Sequence, residues 1–328
     1  MKNNKFIRST LILVIGGFIT KILGFIIRII YTRIVGEEAI SLYTIITPTY
    51  SLFIAICSSF LPIAISKLVS ENTKNNKQLI FNCFILIILV DLILITLGLI
   101  SLNFISNHLL KEPRSKTLII AIIMTIPFIS FSSIFKGYYL GKQKMHPNVI
   151  SNIIEQLTRL TLIILFIPKI AKKSIVLSVF GLITMSIRTE SISCLIFIMF
   201  LPNKLQITKK DMKINISYLK DILKISIPIT SSRLVGNIGF FFEPVLLTNI
   251  LLYKGFKNSY ILSNYGIYNA YAISLLTMPN FFIMAISSAI IPEISKYFSH
   301  SNYKMVKKRF KQAIYISFIL GIFCCRYL

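Results

Sequence analysis

Charge is scarce in this chain. Only 14% of its residues are Asp, Glu, Lys or Arg, while 55% are hydrophobic and the mean hydropathy is +0.76. A soluble globular domain carries about a quarter charged residues, so that class is excluded and an integral membrane protein is expected. Acidic residues are scarcer still, 11 against 36 lysines and arginines, for a net charge of +25. In a soluble chain that excess would suggest nucleic acid. Here the basic residues sit in short loops between membrane-length apolar runs, which leaves no contiguous basic face and argues against a nucleic-acid partner.

Other chemistry is missing as well. His108, His146 and His300 fall in predicted loops far from one another, and Cys57, Cys83, Cys194, Cys324 and Cys325 lie in or beside apolar runs without metal-ligand spacing. No metal and no cofactor is expected. Walker motifs, Gly-rich phosphate loops, Ser/His/Asp arrangements and paired carboxylates are also wanting, so neither an enzyme nor an ATP-driven pump is expected. A basic leader (Lys2, Lys5, Arg8) precedes an apolar run from Ser9 to Val35, which is too long for a signal peptide and lacks a small-x-small cleavage site. That run is expected to be retained.

What the chain has is apolar runs long enough to cross a bilayer, near 9–35, 42–66, 79–104, 117–140, 149–168, 175–201, 222–250 and 264–292. They predict an all-α integral membrane protein with eight complete transmembrane helices and a ninth starting near Gln312. Ala55–Lys67 (AICSSFLPIAISK) returns as Ala285–Lys296 (AISSAIIPEISK), and Thr47-Pro48 is echoed by Met278-Pro279. The copies fall on helices 2 and 8, an even offset of six, so both cross in one direction, as in two lobes related by an axis along the membrane normal. Residues 1–215 form the expected N-terminal lobe (helices 1–6), and 216–328 an incomplete C-terminal lobe (helices 7–9). With a cytoplasmic N-terminus, Lys67, Lys77, Lys142, Lys144 and two lysine-rich stretches near 204–224 and 296–311 fall inside, far outnumbering outside cations such as Lys111, Arg114 and Lys257. The positive-inside rule therefore predicts that orientation.

Some cations lie within the apolar runs. Gly17, Lys21, Gly24 and Arg28 recur at spacings of four, three and four, which places two cations and two glycines on one helical stripe. Two mid-span cations cost roughly 5–7 kcal/mol, and the surrounding apolar side chains return about 5–10 kcal/mol. The stripe is thus expected to face a water-filled cavity, with its glycines allowing close approach of a helix or ligand; snorkelling or pairing with carboxylates is the bland alternative. Helix 7 adds Arg233 and Glu243 between Pro228 and Pro244, as an interlobe ion pair or a coupling site. Lys21, Gly24, Arg28, Arg233 and Glu243 are the candidate cavity residues. Glu155 and Arg159, an i,i+4 pair at the expected cytoplasmic start of helix 5, read as a structural ion pair. Arg188 and Glu190 point to different faces of helix 6. A cationic cavity favours an anionic cargo, with phosphate groups foremost.

The stretch Lys21-Ile-Leu-Gly-Phe-Ile-Ile-Arg28, continued by Tyr31-Thr-Arg-Ile-Val-Gly36, resembles the first helix of the stage V sporulation protein B and lipid II flippase group of the multidrug/oligosaccharidyl-lipid/polysaccharide exporter superfamily. Leu61-Pro-Ile-Ala-Ile-Ser-Lys67, Gly137-Tyr-Tyr-Leu-Gly141, Met145-His-Pro147 and Ile154–Arg159 resemble the group's segment after helix 2 and its helix 4–5 connection, and Ser226–Thr230 with Arg233 and Glu243 its sporulation branch. The uncharged Ile273–Pro279 departs from the charged cluster of the lipid II flippase branch. The resemblance implies about fourteen helices in full, of which this chain would lack the last five. It also implies an alternating-access flippase of the plasma membrane carrying a polyprenyl-pyrophosphate-linked saccharide, a peptidoglycan precursor for the spore cortex. Partners would be that substrate and membrane lipids, with the coupling ion, H+ or Na+, open. Two alternatives stand beside it: a cation-coupled multidrug antiporter, for which helices 1–4 offer only Asp91, and a non-transporting remnant.

Overall fold

The computed structural model describes residues 2–71, 75–142, 144–201, 213–273, 276 and 301–327. The second repeat copy, Ala285–Lys296, and Met278-Pro279 lie outside them. The described chain is helical. Helix α1 (Lys2–Phe60) is followed by α2 (Pro62–Glu71), α3 (Asn76–Asn103) with a π-helical last turn (Phe104–Leu109), α4 (Ser115–Gly141), α5 (Met145–Ala171), α6 (Ile175–Met199), α7 (Ile216–Tyr253), α8 (Asn258–Ile267) running into a π-helical segment (Tyr268–Ile273), and α9 (Tyr303–Tyr327). Six helical stretches, within α1–α2, α3, α4, α5, α6 and α7, are long and apolar enough to cross a membrane.

Helix α1 is two arms. Gly36 breaks it with φ 78° and ψ 177°, a left-handed conformation that glycine reaches at little cost. The rings of Tyr31 and Tyr43 meet edge-on at 6.0 Å, whereas twelve residues of straight helix would part them by roughly 18 Å. The chain therefore doubles back, as the two runs 9–35 and 42–66 predict. The second run is not one helix, however: it stops at Phe60 and restarts at Pro62. Pro62 lacks an N–H and disfavours helical geometry at Leu61, so it opens a new helix more readily than it continues one.

Helix α3 shows why these segments belong in lipid. Leu79, Cys83, Leu86, Asp91, Leu94 and Leu102 are buried on one face, while Ile88, Leu92, Leu99 and Ile100 are at least half exposed on the other. A helix that is apolar all round has no face suited to water. Polar contacts join the helix ends in two groups. At one end Arg114 reaches Glu38, Asn249 donates to the Leu109 carbonyl at 3.1 Å, and Asn258 to that of Lys111 at 2.7 Å. At the other, buried Asn82 accepts from Asn215 N–H at 2.9 Å and donates to the Lys213 carbonyl at 3.2 Å, while Tyr139 donates to the Phe197 carbonyl at 2.7 Å. Successive helices thus run up and down across one slab.

Close contacts are made by glycine. A Cβ on Gly137 would stand 2.8 Å from the Pro62 backbone, and one on Gly141 would stand 2.7 Å from the Ser66 carbonyl oxygen. Helices α2 and α4 can therefore touch backbone to backbone, as small residues allow between membrane helices.

Candidate functional site

A cavity of about 480 Å³ opens where the two arms of α1 and helices α5 and α6 meet α7 and α8. The first arm contributes Gly24, Ile27, Arg28, Tyr31 and Thr32, and the second contributes Ile40, Tyr43, Thr44, Thr47 and Tyr50. Both sets follow helical i, i+3, i+4 spacing, so each arm turns one face to the cavity. Gln156 and Arg159 come from α5, Leu182, Ile183 and Ser186 from α6, Phe240 from α7, and Tyr265 and Asn269 from α8 and its extension.

Arg28 is solvent-exposed within the opening, and its Nη2 donates to the Asn269 carbonyl at 3.1 Å. One contact leaves most of the five guanidinium N–H donors for other partners. Tyr50 Oη and Ser186 Oγ lie 3.3 Å apart across the α1–α6 wall. The Tyr31 hydroxyl is buried and has no hydrogen-bond partner among the described residues.

The candidate residues divide. Gly24 and Arg28 line the cavity, whereas Lys21, Arg233 and Glu243 are exposed and do not. Lys21 lies two helical turns before Arg28 on the same arm, outside the walls. Glu243 stands behind them, accepting a hydrogen bond from Tyr265 at 3.4 Å. No helix packs closely on the stripe glycines: a Cβ at Gly17 or Gly24 would meet nothing within 4 Å among the described residues. The close contact belongs to Gly16, where a Cβ would collide with the Val149 side chain of α5.

Glu155 and Arg159 do form an ion pair, with Nη2 and Oε1 at 3.2 Å. Its setting differs from the expected interfacial one, because α5 begins at Met145 and Glu155 lies roughly 15 Å along its axis. The pair belongs to a larger cluster. Lys136 of α4 places Nζ 3.4 Å from Glu190 Oε2 and 4.0 Å from Glu155 Oε2. Ser193 donates to Glu155 at 3.4 Å, and Arg159 Nη2 also reaches Thr189 Oγ1 at 3.4 Å. Glu155 and Glu190 are 8% and 7% exposed, so these charges are withdrawn from bulk water. Lys136, near the end of the 117–140 apolar run, is a half-buried residue of α4. Arg188 is exposed and Glu190 buried, on different faces of α6.

The fold is shared with known transporters. The fold matches an inward-facing multidrug resistance MATE family transporter of the MOP superfamily with a TM-score of 0.69 at 16% identity, over 91% of this chain and 67% of that one. A MATE protein in the straight conformation matches with a TM-score of 0.62 at 15% identity, over 99% and 72%. At such identities the likeness is one of fold, and it defines the class: an all-helical, multi-pass membrane protein with a transporter fold.

Sequence supplies the family. Residues 6–298 match the polysaccharide biosynthesis protein family, and the chain belongs to it. Among Bacillus subtilis (strain 168) proteins, stage V sporulation protein B is 30% identical over 98% of this chain and 64% of its own length. Sporulation protein YkvU is 29% identical over 97% and 72%, and lipid II flippase MurJ 22% identical over 95% and 62%. The chain thus spans just under two thirds of the length of stage V sporulation protein B.

Proposed function

We propose that this chain is part of an alternating-access flippase for a polyprenyl-pyrophosphate-linked saccharide, a peptidoglycan precursor used in spore cortex synthesis. The observation that carries this reading is Arg28, a guanidinium with spare donors facing a cavity between helix groups whose largely apolar wall also carries tyrosine and threonine hydroxyls. Arginine suits phosphate because its planar fork offers paired N–H donors. In this reading Arg28 binds the pyrophosphate, the tyrosine and threonine faces of α1 meet the sugar, and the lipid tail stays against the exposed apolar helix faces. Residues 1–215 and 216–328 are the two rocking units. The N-terminus is cytoplasmic, on the strength of the lysine and arginine asymmetry.

The relatives' names support the lipid-linked cargo, and the higher identity to the sporulation proteins than to lipid II flippase MurJ supports the sporulation branch. The multidrug-antiporter alternative is weaker. Asp91 is buried between α3 and α4, accepts a hydrogen bond from Ser130 at 2.7 Å, and does not line the cavity.

The test is translocation of a fluorescent lipid-linked precursor in proteoliposomes. Arg28→Ala is expected to slow flipping at least about tenfold, the order expected for losing a charge-assisted contact of about 1.5–3 kcal/mol. Lys21→Ala, outside the walls, is expected to change the rate about twofold or less. Undiminished flipping by the double variant would remove the cavity from the mechanism.

A further inference from the structure

The Lys136–Glu155–Arg159–Glu190 cluster has no role in the mechanism above, yet one member reaches the cavity. Arg159 lines it beside Gln156, Tyr50 and Ser186, while its Nη2 is held by Glu155 on the far side. Its Nε is buried without a hydrogen-bond partner among the described residues. A guanidinium with an orphaned donor, bound to its carboxylate by one 3.2 Å contact, is poised to exchange partners.

We infer that Arg159 is a second anion ligand of the cavity, exchanging Glu155 for a phosphate oxygen of the cargo, and that the cluster takes up one proton when it does. This rests on the reading of the cavity as an anion site. The charge count gives the reason. With Arg159 in place, two cations balance two carboxylates. When Arg159 turns to the cargo, Glu155 and Glu190 are left sharing Lys136, whose Nζ lies 4.0 and 3.4 Å from them. Two buried carboxylates on one ammonium carry an unbalanced negative charge where solvent screening is weak, and a proton from water, bound to one carboxylate oxygen, removes it. The groups facing Glu155 are Lys136 from α4, Arg159 from its own helix, and Glu190 and Ser193 from α6, while Cys194 of α6 lies by Glu190 and Lys136, and Tyr50 of α1 by Arg159 and Glu190. None of the others supplies a replacement cation. The exchange would tie cargo binding to proton uptake.

The probe is inorganic pyrophosphate, titrated calorimetrically into the chain in nanodiscs, in two buffers of different ionisation enthalpy so that bound protons are counted. Wild type is expected to bind, and Arg28→Gln and Arg159→Gln each to weaken binding at least about tenfold. Glu155→Gln frees Arg159 and removes the carboxylate that charges, so it should tighten binding about threefold or more and lower the uptake by about one proton. The probe's own protonation cancels in that difference. Wild-type affinity in Arg159→Gln alongside weakened Arg28→Gln would overturn the role of Arg159 while leaving the anion cavity standing. No binding by wild type would overturn both. Should Arg159→Gln fail to fold by its helical circular dichroism, Glu155→Gln decides: unchanged affinity and unchanged proton count overturn the exchange.

Discussion

Arg114 shows how much a single residue's worth depends on the burial of its partner. Its Nε and Nη2 hold the two oxygens of Glu112 at 2.8 and 3.3 Å, and its Nη1 reaches Glu38 at 2.7 Å, tying the loop before α4 to the second arm of α1. Glu112 is 4% exposed, whereas the Glu38 side chain is 59% exposed. Arg114→Ala leaves a buried carboxylate without its guanidinium and should lower stability by about 1–3 kcal/mol. Glu38→Ala removes a solvated contact and should cost less than about 1 kcal/mol. Thermal unfolding in detergent reads both. The Glu112 hydrogen bonds first, and those to Glu38 second, raise the Arg114 pKa above the ordinary arginine value. A raised pKa in the folded state means that this stability is fully present below the ordinary value and is lost only above it. The gap between wild type and Arg114→Ala should therefore hold between about pH 7 and 10; a gap that closes there would sink the assignment.

Single residues of the cavity were only partly legible in the sequence. Arg28 stood out because a cation in an apolar run is costly. The Tyr43, Thr44, Thr47 and Tyr50 face carries the same kind of signal, polar atoms at helical spacing in a membrane-length run, without a charge to draw notice. Lys136 was hidden for another reason: it lies five residues before the end of α4 at Gly141, where an end-of-span lysine and a loop lysine look alike.

At the scale of elements, the pairing of α2 with α4 turns on Gly137 and Gly141, the glycines of the Gly-Tyr-Tyr-Leu-Gly stretch. Each hypothetical Cβ strikes backbone, which cannot swing aside as a side chain can. Gly137→Ala or Gly141→Ala should therefore destabilise by about 1–3 kcal/mol despite the better helix propensity of alanine. Gly17→Ala, with open space around it, should be neutral or slightly stabilising. Equal behaviour of all three in thermal unfolding would refute the contact. The hairpin in α1 belongs to this scale too. Two apolar runs parted by Gly-Glu-Glu announce a turn, and the observed φ of 78° at Gly36 gives its mechanism.

For the whole molecule, the contacts that sort helix ends into two groups fix which loops share a side, and the lysine asymmetry proposes which side faces the cytoplasm. Lys144 and Lys257 are both exposed and fall at opposite ends. In a chain freed of its native cysteines, Lys257→Cys should react with an impermeant maleimide in intact cells, and Lys144→Cys only after permeabilisation. The reverse pattern would invert the orientation.

Composition and apolar run length determined, by themselves, that this chain is helical and lies in the membrane. Backbone amides must be satisfied within the segment wherever lipid replaces water. Spacing along one helix was enough to place Gly24 with Arg28. Tertiary structure alone decided which charges meet. Arg28 faces Asn269, 241 positions away, Lys136 meets Glu190, and Arg159 stands between a buried carboxylate and the cavity. Partners drawn from different helices depend on how those helices rotate and cross, and no periodicity within a single helix carries that information.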